Sequence, residues 1–154
     1  MSYVDTGFSS PLDGGVTSGT GGFETGTGGA AGTFIPVSGL DLKMDFDTLK
    51  MNDAVLGSGA VIIFDNSRNM IKVLQSILEF FKHESCGKCV PCRVGTQHLF
   101  DEAKRLYKYD NILEGLNKLK FQSEIMAKTS LCPLGQSPLM PINSLVKYWE
   151  TDYK

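Results

Sequence analysis

Three of the chain's four cysteines, Cys86, Cys89 and Cys92, form a C-x2-C-x2-C run inside Glu84-Ser-Cys-Gly-Lys-Cys-Val-Pro-Cys-Arg-Val-Gly-Thr96. The fourth, Cys132, stands alone in Ser130-Leu-Cys-Pro-Leu-Gly-Gln136. A fold that uses all four at one site must bring two distant loops to the same end of the molecule. A cubane iron–sulfur cluster asks for this arrangement. Two-residue spacers let a compact loop curl around the cube with three thiolates and with peptide N–H groups aimed at the sulfides, while the fourth thiolate comes from elsewhere in the fold. The spacing therefore predicts a [4Fe-4S] cluster held by Cys86, Cys89, Cys92 and Cys132. Two other readings stay open. Zinc takes four thiolates too, usually as two separated C-x2-C pairs. The thiols could instead be redox-active or structural: four cysteines permit two disulfides, and a C-x2-C dithiol on its own would leave Cys92 and Cys132 unused.

Composition narrows the compartment and the partners. A net charge of −2 over 154 residues argues against a nucleic-acid or membrane-surface binder. No apolar run is long enough to span a bilayer, so direct membrane insertion is not expected. The residues after Met1 do not form a secretory signal, and three crowded thiols point to a reducing, cytoplasmic setting. Residues 1–33 hold ten of the seventeen glycines and no Lys or Arg. So little apolar surface cannot offset the entropy of ordering that many glycines, so an extended Gly/Thr-rich tail is expected, ordered only where a partner holds it. Its glycine run has neither a preceding hydrophobic strand nor a following helix, so it is not read as a phosphate loop.

The expected fold is mainly α, with a small β-containing segment over 34–66 and a helical domain over 67–154. Phe34-Ile-Pro-Val37 reads as extended, and Asp45 or Asp47 as the cap of a short helix. Gly57-Ser-Gly59 is a turn, and Ala60 to Phe64 a buried strand. Asp65-Asn-Ser-Arg68 signals the start of a helix running to about His83, whose apolar residues recur near every 3.6 positions, with Phe80 and Phe81 in the core. Thr96 is expected to cap a second helix reaching Tyr107, and Asp110 a third, with Gly115 as its weak point. Pro141 suits the first turn of a last helix carrying Leu145, Val146 and Trp149. The whole is a small helical bundle whose two cysteine loops meet at one end.

From Arg68 to Tyr109 there are eight Lys/Arg against four Asp/Glu, a local excess of positive charge. Lys82, His83, Lys88, Arg93 and His98 are candidates to offset a negative cluster, although Lys82 and His98 read more simply as solvated helix charges. Ser85, expected to be exposed beside the thiolate loop, is read as a hydrogen-bond donor, not as a nucleophile. No catalytic dyad or triad is visible.

These residues resemble the C-terminal part of the NADH-binding flavoprotein subunit of respiratory complex I, a family that includes the diaphorase subunits of NAD-linked hydrogenases and formate dehydrogenases. The likeness rests on Leu56-Gly-Ser-Gly59 with the apolar strand after it, on Glu84-Ser-Cys-Gly-Lys-Cys-x-Pro-Cys-Arg-x-Gly-Thr96, on Leu131-Cys-Pro-Leu-Gly-Gln136 and on Leu145-Val-Lys-Tyr148. It spans about residues 28–154. It implies a four-helix cluster domain preceded by the remnant of a ubiquitin-like SLBB domain, with Cys86, Cys89, Cys92 and Cys132 as ligands. Val90 and Val94 stand where relatives often carry Thr and Glu. The preceding domain that binds flavin and NADH has no counterpart motif in residues 1–33, so NADH and flavin binding are not carried over.

The expected function is an electron-transfer subunit that relays single electrons within a multisubunit NADH-, hydrogenase- or formate-dehydrogenase-type complex. Its partners would be a flavoprotein and further iron–sulfur subunits in a peripheral arm, and it would have no independent NADH or flavin catalytic site. The alternative is a non-redox assembly module stapled by a cluster or by zinc. A complete diaphorase binding flavin through the tail is a third, weaker reading.

Overall fold

A computed structural model of the chain describes residues 22–25, 32–39, 41–57, 61–64 and 68–149. Helix α2 (Met70–Glu84) is the clearest product of apolar spacing. Met70, Ile71, Leu74, Leu78 and Phe81 fall on one stripe and are buried. Its cap is Asn69, whose side-chain oxygen accepts from the N–H groups of Ile71 at 3.0 Å and Lys72 at 3.2 Å. The helix therefore starts later than the Asp65-Asn-Ser-Arg68 signal implied, and Asp65 to Ser67 lie outside the described residues. Phe80 departs from expectation as well: it is 43% exposed, while Phe81 beside it takes the core position and meets it edge-on at 5.7 Å. Adjacent helix positions point about 100° apart, so only one of the pair can face inward.

Helix α3 (Val90–Arg105) begins inside the cysteine run, six residues before Thr96. Cys89 is its N-cap, in extended conformation, and Pro91 sits in the first turn, where its missing N–H costs nothing. Thr96 lies mid-helix and buried, with its hydroxyl donating to the Cys92 carbonyl at 2.8 Å. A 3-10 turn (Leu106–Lys108) leads to α4 (Ile112–Thr129). The cap of α4 is Asn111, one residue after the expected Asp110, accepting from Leu113 N–H at 2.9 Å. Gly115 is less a weak point than a point of close approach: a Cβ there would stand 2.6 Å from Leu106 Cδ2. After α4 come a single turn, α5 (Pro133–Gln136), and the last helix, α6 (Leu139–Trp149), with Pro141 in its first turn.

The four long helices close a ring in which α2 packs on α3 and α6, and α4 packs on α3 and α6. Leu74, Leu78, Leu99, Leu106, Leu116, Leu119, Ile142 and Leu145 fill the centre, each at 0 or 1% exposure. Each such side chain contributes roughly 1.5–3 kcal/mol over leaving it in water. The molecule is a mainly α four-helix bundle.

The β-containing segment attaches to the bundle beside α6. Strands β1 (Gly22–Thr25), β2 (Thr33–Pro36) and β3 (Val61–Phe64) form an antiparallel sheet in the order β2-β1-β3, with Phe23 opposite both Ile35 and Ile63. A strand thus falls in the stretch read as an extended tail, and it is the central one. Backbone pairing on both edges does not depend on apolar side chains, which is why a composition argument overlooks it. The rest of residues 1–31 lies outside the described residues. Strand β3 is not wholly buried either, since Ile62 is 41% exposed. Helix α1 (Phe46–Met51) is capped by Asp45, which accepts from Thr48 N–H at 2.7 Å. The peptide N–H of Thr48 holds the Asp45 carboxyl below its ordinary value. Ile35, Leu49 and Ala54 form a second small core. Two links tie this unit to the bundle. Phe34 is buried in the main core, and its N–H donates to Ser144 Oγ at 3.0 Å. On the surface, Lys147 pairs with Asp53 at 2.6 Å. Among the described residues no helix is long and apolar enough to cross a membrane.

Candidate metal centre

Three of the four cysteines sit where helices begin. Helix α2 ends at Ser85, and the chain turns through Cys86, Gly87 and Lys88 into Cys89, the cap of α3. Gly87 makes that turn with φ of 74°, a left-handed conformation that favours glycine. Arg93, one turn into α3, donates from Nη1 to the Gly87 carbonyl at 2.8 Å and pins the loop against the helix. Cys92 faces inward from the first turn of α3 and is 3% exposed, whereas Cys86 is exposed and Cys89 half-buried. Cys132 caps α5 and is exposed.

Contacts between the two loops bring them to the same end of the bundle. A Cβ placed on Gly135, in α5, would lie 2.9 Å from Cys92 Cβ and 2.5 Å from Ser130 Oγ. Only a residue without a side chain lets α5 settle that close to α3. The peptide N–H of Leu131, foremost, and that of Cys92 hold the Cys89 thiol below its ordinary value. Burial pushes the Cys92 thiol up; the Ser85 hydroxyl opposes that shift, and the charges of Cys89, Cys132 and Cys86 add to it. Cys92 is thus within electrostatic reach of each of the other three sulfurs. They are free thiols, and among the described residues no three His, Cys, Asp or Glu side chains already stand in metal-holding geometry.

The basic residues flagged from the sequence are distributed unevenly. Arg93 works through its backbone contact with Gly87. Lys82 lies over the Phe100 ring at 4.7 Å, and Lys104 covers the same ring at 3.9 Å. His83, Lys88 and His98 are exposed. Ser85 lies against a thiol, with its Oγ 3.3 Å from Cys92 Sγ. Three participants went unrecognised in the sequence: the Leu131 peptide, Ser130 and Gly135. Ser130 is 7% exposed and its Oγ has no hydrogen-bond partner. Its carbonyl accepts from Gln136 Nε2 at 3.0 Å, which closes the Cys132 loop on itself. The Leu-Gly pair after Cys-Pro was the available signal for a tight approach.

Known proteins place this geometry. Residues 72–154 match the family model of the NADH-ubiquinone oxidoreductase-F iron–sulfur binding region. The chain belongs to that family. Its cofactor is accordingly a [4Fe-4S] cluster. Among curated relatives, the NADP-reducing hydrogenase subunit HndC of Solidesulfovibrio fructosivorans is 34% identical over 128 residues, which is 83% of this chain and 26% of that protein. An NADH-quinone oxidoreductase subunit of Rhizobium meliloti (strain 1021) is 32% identical over 126 residues, 82% of this chain and 30% of that one. The chain therefore spans under a third of the length of these relatives. A solved structure of an NAD+-reducing [NiFe]-hydrogenase in its H2-reduced state superposes with a TM-score of 0.72 at 28% identity, covering 88% of this chain and 23% of that one.

The residues of this family member suit the cofactor. Four soft thiol donors stand on two loops joined through Gly135 and the Leu131 peptide. The unpartnered Ser130 Oγ lies buried beside them as a further polar group.

Proposed function

We propose that this chain is an electron-transfer module that holds its [4Fe-4S] cluster through Cys86, Cys89, Cys92 and Cys132 and relays single electrons within a multisubunit redox complex. The observation that carries the reading is the joining of the two cysteine loops: Gly135, in the turn that Cys132 caps, lies so close to α3 that an added Cβ would stand 2.9 Å from Cys92 Cβ. When bound, such a cluster accepts and releases one electron without making or breaking substrate bonds. The protein's part is to supply thiolates, bury one side of them and aim donors at the sulfurs. Cys92 provides the buried ligand, Cys86 and Cys132 the exposed ones, and the Leu131 peptide a donor to Cys89.

The kinship with hydrogenase and NADH-quinone oxidoreductase subunits supports a setting among a flavoprotein and further iron–sulfur subunits, in a cytoplasmic peripheral arm. Residues 67–154 would form the cluster domain. Residues 34–66, together with β1 from the glycine-rich stretch over 1–33, would form the unit that leans on α6. The test is anaerobic purification followed by iron and sulfide analysis and visible spectroscopy. About four iron and four sulfide per chain, with absorbance that bleaches reversibly on reduction, is the expected result. Stoichiometric zinc without sulfide, or a cluster that cannot be reduced at any accessible potential, would favour the scaffold reading instead.

A further inference from the structure

Ser85 has no assigned role in ligation, yet its hydroxyl lies in hydrogen-bond contact with the most buried of the four sulfurs, Cys92 Sγ. Its position is well defined. Ser85 ends α2 in an extended conformation, with φ −65° and ψ 119°. The loop then folds back through Gly87, whose N–H donates to Ser85 Oγ at 3.4 Å. Arg93 holds the Gly87 carbonyl from the other side at 2.8 Å. A serine hydroxyl has one proton and two acceptor lone pairs. With the Gly87 N–H on one lone pair, the proton is free to point at Cys92 Sγ, 3.3 Å away. A ligating thiolate can only accept, so the direction of that bond is settled by chemistry. Cys92 is 3% exposed, so water does not compete for its sulfur. The Thr96 hydroxyl is already committed to the Cys92 carbonyl and leaves the sulfur to Ser85.

We infer that Ser85 is a positioning residue that sets the cluster's reduction potential, by donating its hydroxyl proton to the Cys92 thiolate. The inference rests on Cys92 being a ligand. Reduction adds one electron, part of whose charge spreads onto the thiolate sulfurs. No bond forms or breaks, and the hydroxyl keeps its proton. A donor on that sulfur stabilises the more negative, reduced state, so it raises the midpoint potential. Removing the hydroxyl must lower it.

The experiment is an EPR-monitored anaerobic redox titration of the full chain in its complex, comparing wild type, Ser85→Ala and Ser85→Thr. With iron content unchanged, Ser85→Ala is expected to weaken reduction about tenfold at a given potential, a downward shift of about 59 mV for one electron. Ser85→Thr keeps the hydroxyl and is expected to stay near wild type. An Ala variant that titrates with the wild type overturns the inference. A Thr variant that falls with Ala also overturns it, because the effect would then be one of packing. A second readout needs only the wild type. Proton ENDOR of the reduced sample in H2O and in D2O should reveal a coupled proton that exchanges on mixing, and its absence overturns the inference even where Ser85→Ala does not retain iron. A wild type with no iron–sulfur signal defeats the electron-transfer reading itself, a result distinct from either of these.

Discussion

Gly135→Ala is expected to damage the metal centre without touching a cysteine. The added methyl would lie 2.5 Å from Ser130 Oγ, 2.6 Å from Ser130 Cβ and 2.9 Å from Cys92 Cβ. Two of these are Cβ atoms, fixed to the backbone, and no rotamer change moves them away. Relief requires α5 to lift from α3, and Cys132 travels with it as the cap of α5. Overpacking of this kind costs roughly 1–3 kcal/mol. At about 1.4 kcal/mol per tenfold, that corresponds to a loss of about 5- to 150-fold in the affinity of the site for its cluster. Gly95→Ala is the control. The three atoms nearest its methyl all belong to the Met126 side chain of α4, with Cγ at 2.7 Å, so the repacking it forces falls between α3 and α4 and not on α5. The assay is iron per chain after reconstitution under limiting iron and sulfide, alongside urea denaturation. Gly135→Ala should lose iron out of proportion to its loss of stability, while Gly95→Ala should retain iron in line with its urea midpoint. Equal iron retention in both variants would refute the claim that Gly135 sets the distance between the two cysteine loops.

Three further outcomes follow from the same structure. Leu78→Ala, at a site 1% exposed in the bundle centre, should lower the unfolding free energy by about 2–5 kcal/mol, read from the urea midpoint. Asn69→Ala removes both the α2 cap and the acceptor of the Tyr107 hydroxyl at 2.6 Å, so a loss of about 1–2 kcal/mol is expected by the same measurement. In the iron-free chain Cys89, held below its ordinary value by peptide N–H groups, should be alkylated at lower pH than Cys92, pushed up by burial. The sign follows from the thiolate being the nucleophile: a depressed value exposes it at lower pH, and a raised one delays it. Peptide mapping across a pH series after brief iodoacetamide treatment reads the order.

The bundle was legible wherever periodicity was long. The apolar repeat of α2 and the third helix expected after Asp110 both became helices lining one core. Helix starts were less legible, because several candidate caps stood side by side. Asn69 caps α2, Asn111 caps α4 in place of Asp110, and α3 starts directly after Cys89, with Pro91 suited to its first turn. Phe80 and Phe81 could not be separated by hydrophobicity alone, since the choice depends on which of two adjacent positions faces the bundle centre. Strand β1 was invisible to composition, because glycine and threonine pair through the backbone as well as apolar residues do. At the metal centre the thiols stood out by spacing. Their supporting groups did not, since a peptide N–H at Leu131 carries no side-chain signature and the closeness of Gly135 to Cys92 exists only once α5 is placed.

The central claim is that Cys132 joins the C-x2-C-x2-C loop to hold a redox-active cubane. Low-temperature EPR of the anaerobically purified complex, before and after reduction, tests it most directly when wild type is compared with Cys132→Ser. A rhombic signal that develops on reduction in the wild type, and is lost or altered in the variant, is the predicted result. No paramagnetic signal at any potential, or a signal unchanged in Cys132→Ser, would contradict it.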